Sequence, residues 1–188
     1  MEQAGLTPAD LDYTAVTLGP GTFTGLRLGL SALKALNLSN GTPVYGIPSL
    51  KAYAWPYRTA IETVLPLLEA KEDEFFCSFF IRGQQLGQEE DLKIEDILKR
   101  MDPETSVLAC GPGAKSFTER TLELTPLYSV HAFTPEGDCT ESLLEIAEDM
   151  IQKKEPPLED YDGPLYVRKS EAELVLEAKK NSSQAAGQ

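Results

Sequence analysis

The sequence has 188 residues, 41% of them hydrophobic and 25% charged, with a formal charge of −13. That length fits one large or two small domains of an ordinary soluble globular protein. The acidity argues against direct nucleic-acid binding, which needs clustered Lys and Arg to displace counterions. Residues 1–70 hold five acids (Glu2, Asp10, Asp12, Glu62, Glu69) and four bases (Arg27, Lys34, Lys51, Arg58), so −12 of the charge falls in residues 71–188. No apolar run reaches the roughly 18 residues a membrane span needs. The opening MEQAGLTPADLD lacks the basic and apolar regions of a signal peptide. Cys77, Cys110 and Cys139 are odd in number and widely spaced, which fits a reducing cytoplasm rather than a disulfide framework or zinc ribbon.

In chain order, Tyr13–Leu18 reads as a strand halted by Gly19-Pro20-Gly21. Thr22 or Thr24 caps a helix from Gly25 to about Leu38, which Asn40-Gly41 terminates. A strand at Pro43–Ile47 precedes a helical stretch, Ser49–Thr63, that Pro56 interrupts. Val64–Leu68 and Glu74–Arg82 read as strands, with a turn around Gly83 and Gly87. Asp91–Met101 has a helical pattern with Leu92, Ile94, Ile97 and Leu98 inward. Ser106–Cys110 is a strand, halted by a second Gly-Pro-Gly at 111–113 and followed by a helix. A short strand is expected at Leu127–Val130, and an amphipathic helix at Thr140–Gln152. PLYVRKSEAELVL docks locally, and the end, AKKNSSQAAGQ, is expected to be disordered. The order predicts α/β or mixed layers, and the repeated strand–Gly-Pro-Gly–helix pattern hints at duplicated halves.

The stretch TLGPGTFTGLRLGLSALKAL admits two readings. Glycines before a helix suit a phosphate cradle, but Pro20 removes a donor, and neither G-x-x-x-x-G-K-[ST] nor G-x-G-x-x-G is present. The helix behind the loop is apolar on most sides, with a narrow polar strip of Arg27, Ser31 and Lys34. Small residues, Gly25, Gly29 and Ala32, permit close approach of another element. The helix therefore belongs to the middle of the chain's own domain, or to a seam with a partner.

Catalytic constellations are scarce. His131 is the lone histidine, which excludes His-x-x-x-His metal sites. Cys139 with His131 could form a nucleophile pair, but nothing in the sequence orients them. Glu72, Asp73 and Glu74 read as a solvated turn, and Glu159, Asp160 and Asp162 as a solvated acidic loop in a Pro-rich stretch, with weak cation attraction the lesser alternative. No catalytic residue, metal or cofactor is expected of the chain.

GPGTFTGLRLGL at 19–30 resembles the G-P-G-S-F-T-G-x-R-I-G signature of the TsaB (YeaZ) family. PVYGIPSLKAYA at 43–54, LPLLEAKEDEFFCSFF at 65–80, ACGPGAKSF at 109–117 and PLYVR at 164–168 extend the resemblance over most of residues 5–170. It implies an actin-like (ASKHA) α/β fold of two RNase H-like halves. It also implies a noncatalytic dimerisation subunit in the making of threonylcarbamoyladenosine in tRNA. Residues 1–48 would be the remainder of the first half with the interface helix, 49–170 the second half and 171–188 a tail. The implied interface comprises Gly25, Leu26, Arg27, Gly29, Leu30, Ala32, Leu33 and Leu36, beside the signature loop Gly19, Pro20, Gly21, Thr22, Phe23 and Thr24. Implied partners are a TsaD-like catalytic subunit, a TsaE-like ATPase and a second copy of the chain.

Family members begin with a strand like A-I-D-T-S, two more strands and a helix. The resemblance thus sets Met1 roughly where that helix ends, with the first half truncated and its Asp-Thr-Ser nucleotide loop missing. Competing expectations are a free-standing actin-like ATP-binding module and a glycoprotease-like hydrolase.

Overall fold

A computed structural model describes residues 3, 5–71, 73–133 and 138–167. The tail at 171–188 and Glu72 lie outside the described residues. The first strand, β1 (Thr14–Gly19), pairs in parallel with β2 (Val44–Pro48), from Thr14 opposite Val44 to Thr17 opposite Ile47. Between them runs α1 (Phe23–Asn40), with extended Thr22 at its N-cap and Gly41 at its C-cap. Gly41 has φ +78° and donates its N–H to the Asn37 carbonyl at 2.8 Å, a left-handed stop that glycine adopts without strain. α1 lays Leu26 and Leu30 inward, and Leu30 and Leu33 pack on Val16, Leu18 and Val44.

The other face of this pair is covered by α5 (Thr140–Gln152), over the residues its apolar spacing predicts. Ile146 and Ala147, helped by Leu143 and Met150, pack against Tyr45, Ile47, Tyr13 and Ala15. Two polar ties hold it, Tyr13 Oη to Glu148 at 3.1 Å and Trp55 Nε1 to Glu145 at 2.7 Å. The first sheet is thus enclosed by a helix from each end of the chain. α5 belongs by sequence to the 49–170 stretch, yet its buried side rests on strands before residue 49.

The stretch from Ser49 forms α2 (Ser49–Ala54) and then a 3-10 turn, Trp55–Tyr57, where Pro56 ends the α-helix. The second sheet follows in the order β5-β4-β3-β6-β7. Its strands are β3 (Thr63–Lys71), β4 (Glu74–Ile81), β5 (Gln84–Lys93), β6 (Val107–Cys110) and β7 (Val130–Phe133). β3, β4 and β5 are antiparallel neighbours, while β3, β6 and β7 run in parallel. α3 (Ile94–Lys99) and α4 (Ala114–Leu124) close one face over Leu65, Leu67, Phe75 and Cys77. Phe75 meets Phe117 edge-on at 5.5 Å, the geometry aromatic quadrupoles favour.

Three expectations are corrected. Residues 84–93 form an edge strand rather than a turn and the start of a helix, and α3 is correspondingly short. An edge strand half in water tolerates Glu89, Glu90 and Asp91, so its apolar alternation is faint in the sequence. Leu92 belongs to that strand, and only Ile94, Ile97 and Leu98 are the buried helical positions. β7 begins at Val130, where the strand expected at Leu127–Val130 ends.

Gly29 faces inward: a Cβ there would sit 3.6 Å from Val16 Cγ2, an ordinary contact. Gly29→Ala should therefore raise stability by about 0.5–1 kcal/mol, the cost of glycine inside a helix, read as a higher urea midpoint at unchanged slope. An unchanged or lower midpoint would contradict this packing.

On β5, Glu89 Oε1 is buried without a hydrogen-bond partner among the described residues. Burial pushes its pKa from 4.5 up to about 7. A carboxyl whose folded pKa exceeds its unfolded value costs nothing below the unfolded pKa. Its penalty grows as pH rises and is complete above the folded pKa. Glu89→Gln should therefore stabilise the fold at pH 8 by about 1–2 kcal/mol after solvent screening. The gain should vanish near pH 4, as followed by denaturant melts across that range.

Candidate functional site

The signature loop settles into a role other than a phosphate cradle. Gly19 has φ +126°, and the space a Cβ would take is filled by the backbone carbonyl of Leu165, with Leu26 Cδ1 at 3.2 Å. The Leu165 N–H donates to the Leu18 carbonyl at 2.7 Å. The glycine therefore admits the close approach of another stretch of the same chain. The second Gly-Pro-Gly repeats this use. Gly111, at φ +85°, and Gly113 would bring Cβ atoms to 2.8 and 3.1 Å from the Leu67 carbonyl, and Gly113 N–H donates to that oxygen at 2.9 Å.

Helix α1 divides the expected interface residues among three directions. Leu26 and Leu30 of the expected interface are buried in the core of the chain's own first sheet. Gly29, Leu33 and Leu36 are half-buried. Gly25, Arg27 and Ala32 are exposed, as are Thr22, Phe23 and Thr24 of the loop. The outward face also carries Leu28, 70% exposed, Leu38, 78% exposed, and Ala35. None of these three was in the expected interface. Their signal was the helical wheel itself, because Leu28 and Ala35 lie seven apart and opposite Leu26 and Leu33.

The polar strip has a different purpose from solvation. Arg27 Nε donates to Tyr166 Oη at 2.9 Å, and its guanidinium lies 3.9 Å over the Phe23 ring. Phe23 in turn stacks on Tyr166 at 5.4 Å. Lys34 Nζ donates to the carbonyls of Glu159, Asp160 and Asp162. The acidic loop thus binds a cation, supplied by the chain's own lysine through backbone oxygens.

The remaining candidates are dispersed. His131 is exposed on β7, its Nε2 3.3 Å from Ser129 Oγ, while Cys139 is half-buried at the start of α5 and interacts with Tyr53. Burial pushes the Cys139 thiol up, and drives the buried Cys77 and Cys110 thiols up to about 12, which disfavours their thiolates. Asp73 pairs with Arg120. Among the described residues no group of three His, Cys, Asp or Glu side chains could hold a metal ion, and no helix is long and apolar enough to cross a membrane. A cavity of about 570 Å³ lies on the far sheet, lined by Phe79, Leu86, Leu92 and Met101 and bordered by the Arg100–Glu90 ion pair.

Comparison with known proteins agrees with this architecture. A tRNA N6-adenosine threonylcarbamoyltransferase of Tropheryma whipplei (strain Twist) is 54% identical over 54 residues, 29% of this chain and 14% of that protein. The tRNA threonylcarbamoyladenosine biosynthesis protein TsaB of Buchnera aphidicola (subsp. Schizaphis graminum) is 31% identical over 110 residues, 52% of this chain and 51% of that protein. The chain thus spans about a seventh of the first relative's length and about half of the second's. A Pseudomonas aeruginosa crystal structure, of an uncharacterized protein with similarity to peptidase YEAZ, superposes with a TM-score of 0.69 at 25% identity. That match covers 89% of this chain and 78% of that one, and gives the fold as actin-like. The family model described as TsaD: tRNA N6-adenosine threonylcarbamoyltransferase matches residues 1–109, more than half of the sequence. By that match the chain belongs to this family, and it is TsaB/YeaZ-like within it.

Proposed function

We propose that this chain is a noncatalytic scaffold and dimerisation subunit that supports a TsaD-like transferase making N6-threonylcarbamoyladenosine in tRNA. The observation that carries the reading is the outward face of α1, where Leu28 stands in water beside the small residues Gly25, Ala32 and Ala35, with Leu38 exposed about one turn beyond Ala35. Large apolar side chains at such exposure on a regular helix mark a surface that gains by being covered, and the small residues beside them let a second helix come close. The docked element is the catalytic subunit. A TsaE-like ATPase is the further partner, and self-association through the same face is the state in the catalytic subunit's absence. In this reading residues 1–48 form the docking half and 49–170 the half behind it, tied together by α5.

Size-exclusion chromatography with light scattering, on the chain alone and mixed with a TsaD-type subunit, tests the proposal. A one-to-one complex is expected. Leu28→Glu should weaken it at least tenfold, about 1.4 kcal/mol, with an unchanged melting temperature because Leu28 touches no core. Failure of the wild-type chain to form the complex, or full affinity in Leu28→Glu, would overturn the assignment.

A further inference from the structure

We infer that the docking surface is composite: residues 158–166 form its second side, and Lys34 is the positioning residue that fastens them there. The inference rests on the docking reading of α1. After α5 the chain crosses Pro156-Pro157 and returns to the first sheet, where the Leu158 N–H donates to the Val44 carbonyl at 2.8 Å. The Leu158 side chain joins the cluster of Val16, Leu18, Leu30 and Val44. A tight turn follows, closed by Glu159 N–H to Asp162 Oδ2 at 2.7 Å and Asp162 N–H to the Glu159 carbonyl at 3.1 Å. This turn aims three carbonyls at one point, and the Lys34 ammonium fills it, at 2.9 Å from Glu159, 2.7 Å from Asp160 and 2.5 Å from Asp162. All three donors of the ammonium are used.

Beyond the turn, the Leu165 N–H is bonded to the Leu18 carbonyl, and Tyr166 is held by the Phe23 ring and the Arg27 guanidinium. The segment is therefore pinned at its start, middle and end, with every pin on β1, β2 or α1. Arg27 and Lys34 sit seven residues apart on one flank of α1. Leu28 and Ala35, about 100° further round, begin the outward face, with exposed Thr24 and Ser31 on the strip between. The segment accordingly lies on the flank of α1 that these two cations mark, one exposed polar strip away from Leu28 and Ala35. It presents Leu165 and Tyr166, each 44% exposed, with Phe23 at 45%. Tyr and Arg are enriched where interface energy concentrates. A stack already ordered before binding loses little freedom when a partner covers it.

The test uses the full chain with Lys34→Met, which keeps the apolar stem and removes the donors, and Tyr166→Ala, which removes the exposed ring and leaves the carbonyl cage intact. Amide hydrogen exchange is followed at Leu158 and Leu165, and affinity for the TsaD-type subunit is titrated. In Lys34→Met those two amides should exchange at least tenfold faster while β3–β7 are unchanged, and affinity should fall about tenfold. Tyr166→Ala should lose comparable affinity. Unchanged exchange in Lys34→Met overturns the fastening role. Full affinity in both variants, with Leu28→Glu still defective, overturns the composite surface and leaves the α1 seam standing. Absence of docking by the wild-type chain overturns both.

Discussion

Much of this molecule depends on covering a sheet of two strands. β1 and β2 carry apolar side chains on both faces, and a two-stranded unit has little stability without cover. α1 is near in sequence and closes one face. The other face waits for α5, and the ends of the strands wait for residues 158–165. The glycine-rich loop follows from the same need. Gly19 is where a returning backbone comes closer than any Cβ would allow, and Phe23, Arg27 and Lys34 are placed to hold what returns.

That arrangement links two segments that a linear reading keeps apart. The signature at 19–30 and the PLYVR stretch were separate points of family resemblance, yet they form one contact through Phe23, Arg27 and Tyr166. Resemblance located both segments. Only coordinates could join them, because no local pattern tells Arg27 to look for a phenol 139 residues away. The stretch of Glu159, Asp160 and Asp162 reads as a solvated loop, yet it holds Lys34 through backbone carbonyls, which a sequence does not display.

Periodicity served best where apolar spacing was dense and a cap was present. α5 begins and ends where its pattern does, while α1 runs from Phe23 to Asn40, two residues beyond the expected Gly25–Leu38 at each end, and stops at Gly41. It served poorly at the sheet edge. β5 places Glu89, Glu90 and Asp91 on a strand that water reaches, so little hydrophobic signal separates it from a turn. Within α1 the composition was right and the direction less so: many apolar residues encircle the axis, and the sheet selects Leu26 and Leu30 while leaving Leu28 outside. Orientation within such a helix is a tertiary property, decided by which side meets β1 and β2 first.

The return of α5 and the following segment also fixes an order of events during synthesis. β3 through β7 are contiguous, and most of their partners have left the ribosome together once residue 133 is out. β1, α1 and β2 emerge earlier, but their second face and strand ends are closed only by residues 140–166. The second sheet can therefore consolidate first, while β1 and β2 stay partly uncovered until residues 140–166 arrive. These long-range contacts, with their high loop-closure cost, set the covering of the first sheet apart from the local pairings of β3, β4 and β5.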